Sequence, residues 1–346
     1  MSLFKKTVFI ITMLFILILG SWFTIVWYHF IYMPICTNWE RQEAATVKIP
    51  PGVGLRYLAY HLFQGGFIKH PKLFILLAQF TKDTPLLKLG EYQITRNLTA
   101  QKLLDNIVAG KVKQGSVTFI EGWTFRQVKE ALTAESHIVH TINELSDQQI
   151  MAKLGDTQGH PEGLFFPDTY FFNWGESDFQ ILHQAYDRMK IILNKAWYSR
   201  SKNLPYKNSY QALIVASLIE KEAALSKERP KIAGVILRRL KKRIPLQVDP
   251  TVLYGLGLPY DRPITKEDLV SHTPYNTYQN YGLPPTPIDI PSRESILAAL
   301  NPTPGRTFYY VARGDGSHIF SVTYQAHRKA VKRYQRNDKE MITISP

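Results

Sequence analysis

Two acids close an apolar run at Leu213-Ile214-Val215-Ala216-Ser217-Leu218-Ile219-Glu220-Lys221-Glu222-Ala223. Nothing in that run breaks a helix, and at about 100° per residue Val215, Leu218, Ile219 and Glu222 share one stripe. A carboxyl that ends an apolar stripe is expected to be partly desolvated, which favours its neutral form and raises its pKa. A neutral carboxylic acid near pH 7 is what general-acid catalysis needs. Glu220 projects roughly 200° away, on the side of Leu213, Ala216 and Ser217, so the two acids do not serve one cleft as a close pair. A plainer reading stands beside this one. Acids late in a helix are ordinarily solvated or paired with a base at i+4, and the helix pattern alone leaves both readings open.

Downstream residues add to the first reading. In Leu246-Gln247-Val248-Asp249-Pro250-Thr251-Val252-Leu253-Tyr254-Gly255, Asp249 before Pro250 fits an N-cap with proline at the first helical position. Capping alone would account for Asp249. Gln247 and Tyr254 offer hydrogen-bonding groups suited to a sugar or a peptide. Thr273-Pro274-Tyr275-Asn276-Thr277-Tyr278 then leads to Gly282-Leu283-Pro284-Pro285-Thr286-Pro287-Ile288. So many prolines exclude regular structure and imply a rigid, ordered loop. Tyr275, Asn276 and Tyr278 present two rings and an amide, which suit carbohydrate faces and acetamido groups, unless the loop merely covers the core. Arg313-Gly314-Asp315-Gly316 signals a hairpin, in which His318 reads as a strand residue packed near a cleft and not as a catalyst. There is no His-Glu-x-x-His, nucleophile-elbow serine, Cys/His zinc spacing, complete dinucleotide fingerprint or phosphate loop. No metal and no cofactor are expected.

The elements that must position these residues begin with a membrane segment. Lys5 and Lys6 precede an uncharged run from Thr7 to Tyr28, about 22 residues and enough to cross a hydrocarbon core as a helix. Trp22, Trp27, Tyr28 and Tyr32 crowd its far end as interfacial aromatics do. No Ala-x-Ala-type cleavage site follows, so the segment reads as a retained anchor. Lys5 and Lys6 favour a cytoplasmic N-terminus, which places the rest of the chain outside the cytoplasm. Cys36 is the only cysteine, so no intrachain disulfide can form. The formal net charge is +14, with its densest cluster at Arg238, Arg239, Lys241, Lys242 and Arg243. On the outer side of a membrane this basic excess points to anionic lipid headgroups or an acidic wall polymer, or simply to a solvated helix face, and not to nucleic acid.

Patterning divides the remainder into two α+β parts. Val47-Lys48-Ile49 reads as a strand, Pro50-Pro51-Gly52 as a turn, Leu55 to Phe63 and His70 to Gln79 as helices, and Gly90 to Ile94 as a strand. Thr99 caps a further helix through Val108, ended by Gly110. This small module carries no acid or histidine cluster, so its expected work is binding or spacing. From about Val117 a larger part follows. It holds a strand at Val117 to Ile120, a Thr124-initiated helix, and the aromatic turn Glu162-Gly163-Leu164-Phe165-Phe166-Pro167-Asp168-Thr169-Tyr170. Long helices over Ser177 to Ala196 and Arg229 to Lys242 flank the acid-bearing helix.

These motifs, in order and spacing, resemble the YceG-like endolytic murein transglycosylases. Ala216 to Ala223, Leu246 to Gly255, Pro274 to Tyr278, Gly282 to Pro285 and Glu162 to Tyr170 carry the resemblance, which covers essentially the whole chain. It implies a tail over 1–6, a single transmembrane helix over 7–28, a linker over 29–46, a LysM-like module over 47–113 and a catalytic domain over 114–346. It implies cleavage of nascent peptidoglycan strands at the outer face of the cytoplasmic membrane, beside the peptidoglycan synthases. The catalytic acid maps to Glu222, with Glu220 supporting and Gln247, Asp249, Tyr254, Asn276 and Tyr278 binding substrate. Thr286 departs from a usual glycine, and Asp289-Ile290-Pro291 from an Asn-Pro-Gly-like turn, which leaves the shape of that loop open. Two alternatives stay open as well: a non-catalytic glycan-binding scaffold, and an anchored hydrolase in which Glu220 or Asp249 activates water.

Overall fold

A computed structural model describes residues 3–35, 44–50, 53–81, 87–88, 90–95, 97–157 and 159–334. Cys36, most of the expected linker and the Pro51-Gly52 turn lie outside these residues. Helix α1 (Leu3–Tyr32) contains a stretch, Lys6–Tyr32, that is long and apolar enough to cross a membrane. The chain clusters into two units: 1–115 with 171–176, and 116–170 with 177–346. The division falls within two strands, which is why the short return segment counts with the first unit.

In the first unit β1 (Ala44–Ile49) pairs antiparallel with β2 (Gly90–Thr95), setting Val47 opposite Tyr92 and Ile49 opposite Gly90. Between them lie α2 (Leu55–Gln64) and α3 (Pro71–Phe80), and α4 (Ala100–Ala109) follows. The expected signals act locally. Thr99 accepts the Lys102 N–H at 3.2 Å, and Gly110 closes α4 in the left-handed region at φ 69°, where a side chain would be strained. Successive turns of each helix supply the core: Leu58, Leu62, Phe74, Leu77, Leu103 and Ile107 are buried around Tyr92 and Ile94. The C-terminal end of α1 joins this core through Trp27, Phe30 and Ile31, and the Ile35 N–H donates to the Leu98 carbonyl at 2.9 Å.

The second unit is organised around one helix. It contains β3 (Gln114–Thr118), α5 (Phe125–Ala134), α6 (Asp147–Lys153), β4 (Thr169–Asn173), α7 (Asp178–Tyr198) and α8 (Ser209–Glu222). After these come α9 (Arg229–Lys242), α10 (Asp249–Gly255), α11 (Lys266–Leu269), α12 (Arg293–Leu300), the hairpin β5 (Tyr309–Ala312) and β6 (His318–Ser321), and α13 (Tyr324–Tyr334). All eight residues from Ala212 to Ile219 are buried. A helix apolar all round belongs in the middle of a core, and α8 packs against α7, α9, α10 and α12. Its one buried hydroxyl, Ser217, donates to the Ile214 carbonyl at 2.8 Å and accepts the Ile288 N–H at 3.1 Å, tying the proline-rich loop to the helix. Capping boxes at Thr124, Ser146 and Ser177 begin α5, α6 and α7.

The basic cluster on α9 is only partly a solvated face. Arg238 donates to the Thr307 carbonyl at 2.6 Å, and buried Arg239 donates to the carbonyls of Phe308 at 2.7 Å and Leu246 at 2.8 Å. Both arginines fasten α9 to the segment that leads into β5. Helical spacing alone could not show this, because the partners are backbone carbonyls roughly seventy residues away.

Candidate active site

Glu222 is the last residue of α8, at the end of its apolar stripe. It is partly buried. Burial, then the nearby Asp249 carboxylate, push its carboxyl up from 4.5 to about 7, against hydrogen bonding from the Tyr310 hydroxyl and the charge of Arg239. Four elements therefore converge on one acid: α9 through Arg239, α10 through Asp249, the proline-rich loop through Tyr278 and β5 through Tyr310. Burial pushes the Tyr310 phenol well up, so it remains an O–H donor at neutral pH.

Glu220 has a different environment. Arg229 donates to its Oε1 at 3.1 Å, while the Ser292 N–H, at 2.9 Å, and the Ser292 hydroxyl both donate to Oε2. The Glu220 and Arg229 side chains are 7% and 11% exposed. Glu220 thus joins α8 to the heads of α9 and α12, and both its oxygens are already occupied. The angular separation read from the sequence puts the two acids to different uses.

The other expected site residues divide. Asp249 is not a cap. It is the first residue of α10, its side chain makes no capping hydrogen bond, and Val248 holds the cap position. Its Oδ1 instead accepts the Tyr278 hydroxyl, and burial raises its pKa. Gln247 sits in the left-handed region at φ 54°, with its Oε1 3.2 Å from Arg239 Nη1. These three stand around Glu222 or one contact away. Asn276 does not. It is fully buried, with its amide donating to the carbonyls of Leu269 and Ser271 at 3.1 and 2.8 Å and its Oδ1 accepting the Tyr278 N–H at 2.9 Å. An amide so engaged shapes the loop and has no group left for a sugar. Tyr254 also turns elsewhere, donating to Glu162 Oε2 at 2.9 Å.

Glu162 is a second buried acid. The Phe125 N–H donates to its Oε1 at 2.8 Å, so it links the head of α5 to α10, and burial pushes its pKa up to about 7. Gly163 beside it lies at φ 78°, and a Cβ there would meet the Pro287 ring at 2.5 Å. Thr286, the departure noted in the sequence, bridges the Tyr275 hydroxyl at 2.9 Å. Asp289 is fully buried, and neither of its carboxyl oxygens has a hydrogen-bond partner among the described residues.

Arg239, Thr277 and Tyr310 are not among the site residues expected from sequence. Thr277 Oγ1 accepts the Val248 N–H at 3.0 Å and lies 2.9 Å from Thr251 Oγ1, which registers the loop against α10. An Arg within a basic run and a Tyr within an alternating strand carry no local signal of what they meet. Among the described residues, no group of three or more His, Cys, Asp or Glu side chains could hold a metal ion.

The two raised acids make a stability prediction. Glu162 and Glu222 each go from 4.5 to about 7 on folding, so the folded state holds more protons than the unfolded chain between those values. Their contribution is fully present below about pH 4.5 and is lost as pH rises through about 7. The melting temperature of the full chain should fall across that window, and Glu222→Gln should flatten the slope.

The YceG-like family model matches residues 47–333. The endolytic murein transglycosylase of Bacillus subtilis strain 168 is 30% identical over 326 residues, covering 87% of this chain and 88% of that protein. The enzyme of the same name from Streptococcus pneumoniae strain D39 is 30% identical over 317 residues, 81% of this chain but 56% of the longer relative. A crystal structure of a YceG-like protein from Listeria monocytogenes superposes with a TM-score of 0.55 at 27% identity, over 84% of this chain and all of the other. With a match over most of its length, the chain belongs to the YceG-like family.

Proposed function

We propose that this protein is an endolytic peptidoglycan lytic transglycosylase, cutting the β-1,4 bond between N-acetylmuramic acid and N-acetylglucosamine within nascent strands. The observation that carries this is a protonatable acid, Glu222, beside Asp249, Tyr278 and Tyr310, while Glu220 is held by Arg229 and Ser292 and Glu162 by Phe125 and Tyr254. Glu222 starts neutral and donates its proton to the leaving glycosidic oxygen. The muramyl C1 develops oxocarbenium character as that bond breaks, and the 6-hydroxyl of the same sugar attacks it. The Glu222 carboxylate then takes the hydroxyl proton, which regenerates the acid and leaves a 1,6-anhydro end. One carboxyl suffices because water is not a reactant, unlike the paired-carboxylate hydrolases. Asp249, with the Tyr278 hydroxyl on it, keeps Glu222 protonated by its charge; with Gln247 it also lines the sugar-binding surface.

The protonated start fixes a pH dependence. Turnover should hold below about 7 and decline as pH rises through the Glu222 value. Mass spectrometry of muropeptides released by the full chain across that range is the test. Anhydro ends are expected; reducing ends would favour the anchored hydrolase, and uncut strands the glycan-binding scaffold.

Helix α1 serves as a retained single-pass anchor in the cytoplasmic membrane, with the N-terminus inside and the chain beyond α1 outside. The packing of Trp27, Phe30 and Ile31 onto the first unit's core supports retention, since cleavage after them would strip that core of its covering side chains. The part of the first unit over 47–113 is a LysM-like glycan-binding module, supported by its strand–helix–helix–strand order. Anchoring beside nascent strands raises effective concentration there and places the enzyme next to peptidoglycan synthases in cell-wall biogenesis.

A further inference from the structure

His318 begins β6, and its side chain has no part in the scheme above. Its Nδ1 lies 2.8 Å from Glu228 Oε2, and its own backbone N–H donates to the same oxygen at 3.0 Å. Both side chains are 8% exposed. A carboxylate facing Nδ1 makes that nitrogen a donor, which fixes the tautomer and the plane of the ring. The ring stands at 90° to Tyr310 with centroids 5.5 Å apart, and Phe320, paired with Tyr310 across the hairpin, lies 6.2 Å from Tyr310 and 6.3 Å from His318, so the three rings form one cluster. Tyr310 is the residue whose hydroxyl meets Glu222.

Glu228 and Arg229 are consecutive at the head of α9. Arg229 holds Glu220, and Glu228 holds His318, whose ring packs edge-on against Tyr310. One dipeptide of opposite charges thereby reaches both acids of the Glu220-Lys221-Glu222 run. We propose that Glu228 and His318 are a positioning pair that holds the Tyr310 hydroxyl on the Glu222 carboxyl. The inference rests on Glu222 being the reactive acid. Neither Glu228 nor His318 touches substrate; they act through Tyr310, which stabilises the carboxylate formed after proton donation. Asp249, Arg239, Tyr278 and Tyr310 are the charged and titratable groups that face Glu222 from the elements around it.

The test reads the proton on Glu222 directly. A hydrophobic carbodiimide reacts with the protonated carboxylic acid, so labelling of Glu222 in the detergent-solubilised full chain, followed by peptide mass spectrometry across pH, gives a midpoint. Tyr310→Phe removes a donor to the charged form and should raise that midpoint by about one pH unit. Glu228→Gln separates two causes by sign. Loss of a nearby negative charge alone would lower the midpoint, whereas release of Tyr310 raises it. A rise is expected, with no further rise when Glu228→Gln is added to Tyr310→Phe. An unchanged or lowered midpoint in folded Glu228→Gln overturns the proposal. Should that variant not fold, His318→Phe, which keeps a ring against Tyr310, is read in its place. A rise that disappears in the Tyr310→Phe background supports the pair, and an unchanged midpoint, or a rise equal in both backgrounds, overturns it. Labelling does not depend on turnover, so a parent protein that cuts no strands would sink the transglycosylase reading and leave this measurement standing.

Discussion

Glu222→Gln should abolish formation of anhydro ends while the protein stays folded. The substitution keeps the size of the side chain and its capacity to meet the Tyr310 hydroxyl, but removes the proton that the leaving oxygen needs. Positioned acid–base groups contribute about 10²–10⁴-fold in rate, and Glu222 serves as both acid and base, so the loss should lie at the upper end. Stability should not suffer. The native carboxyl is held at about 7 by burial and by Asp249, so above neutral pH the parent retains a charge its surroundings disfavour. The neutral amide removes that charge, and at pH 8 the variant should melt at or above the parent. Parent and variant are to be compared at equal folded concentration, by product mass spectrometry and thermal melts. A folded Glu222→Gln with parental turnover would remove Glu222 from the chemistry.

Glu220→Gln should give the opposite result: a large loss of stability, with turnover per folded molecule close to the parent. The Glu220–Arg229 pair, made through Arg229 Nη2, is nearly sealed from solvent, and Arg229 Nε has no hydrogen-bond partner among the described residues. Removing one member of a buried pair leaves an uncompensated charge, which costs about 3–5 kcal/mol. The Ser292 N–H and hydroxyl also depend on Glu220 Oε2, so the start of α12 should loosen. Urea denaturation of the full chain would show an earlier loss of the second unit. A stable but inactive Glu220→Gln, paired with an active Glu222→Gln, would move the catalytic acid to Glu220.

Much of this protein is written locally. The caps at Thr99, Thr124 and Ser177, the span of α9, the hairpin around Gly314 and the apolar α1 follow from short-range chemistry, since each depends on residues within a few positions. The opposed directions of Glu220 and Glu222 are likewise a property of one helix. Tertiary structure alone decided what those directions meet. Asp249 carries every local mark of a cap, yet it faces Tyr278 because the proline-rich loop returns across α10. Asn276 has the chemistry of an acetamido ligand but lies inside that loop, where the carbonyls of Leu269 and Ser271 claim its amide. Arg239 and Tyr310 gain their meaning from contacts seventy to ninety positions distant. Periodicity registers which face of an element is apolar. It does not register which remote polar group will share that face, because long-range pairing is fixed by how whole elements pack and not by the spacing within any one of them.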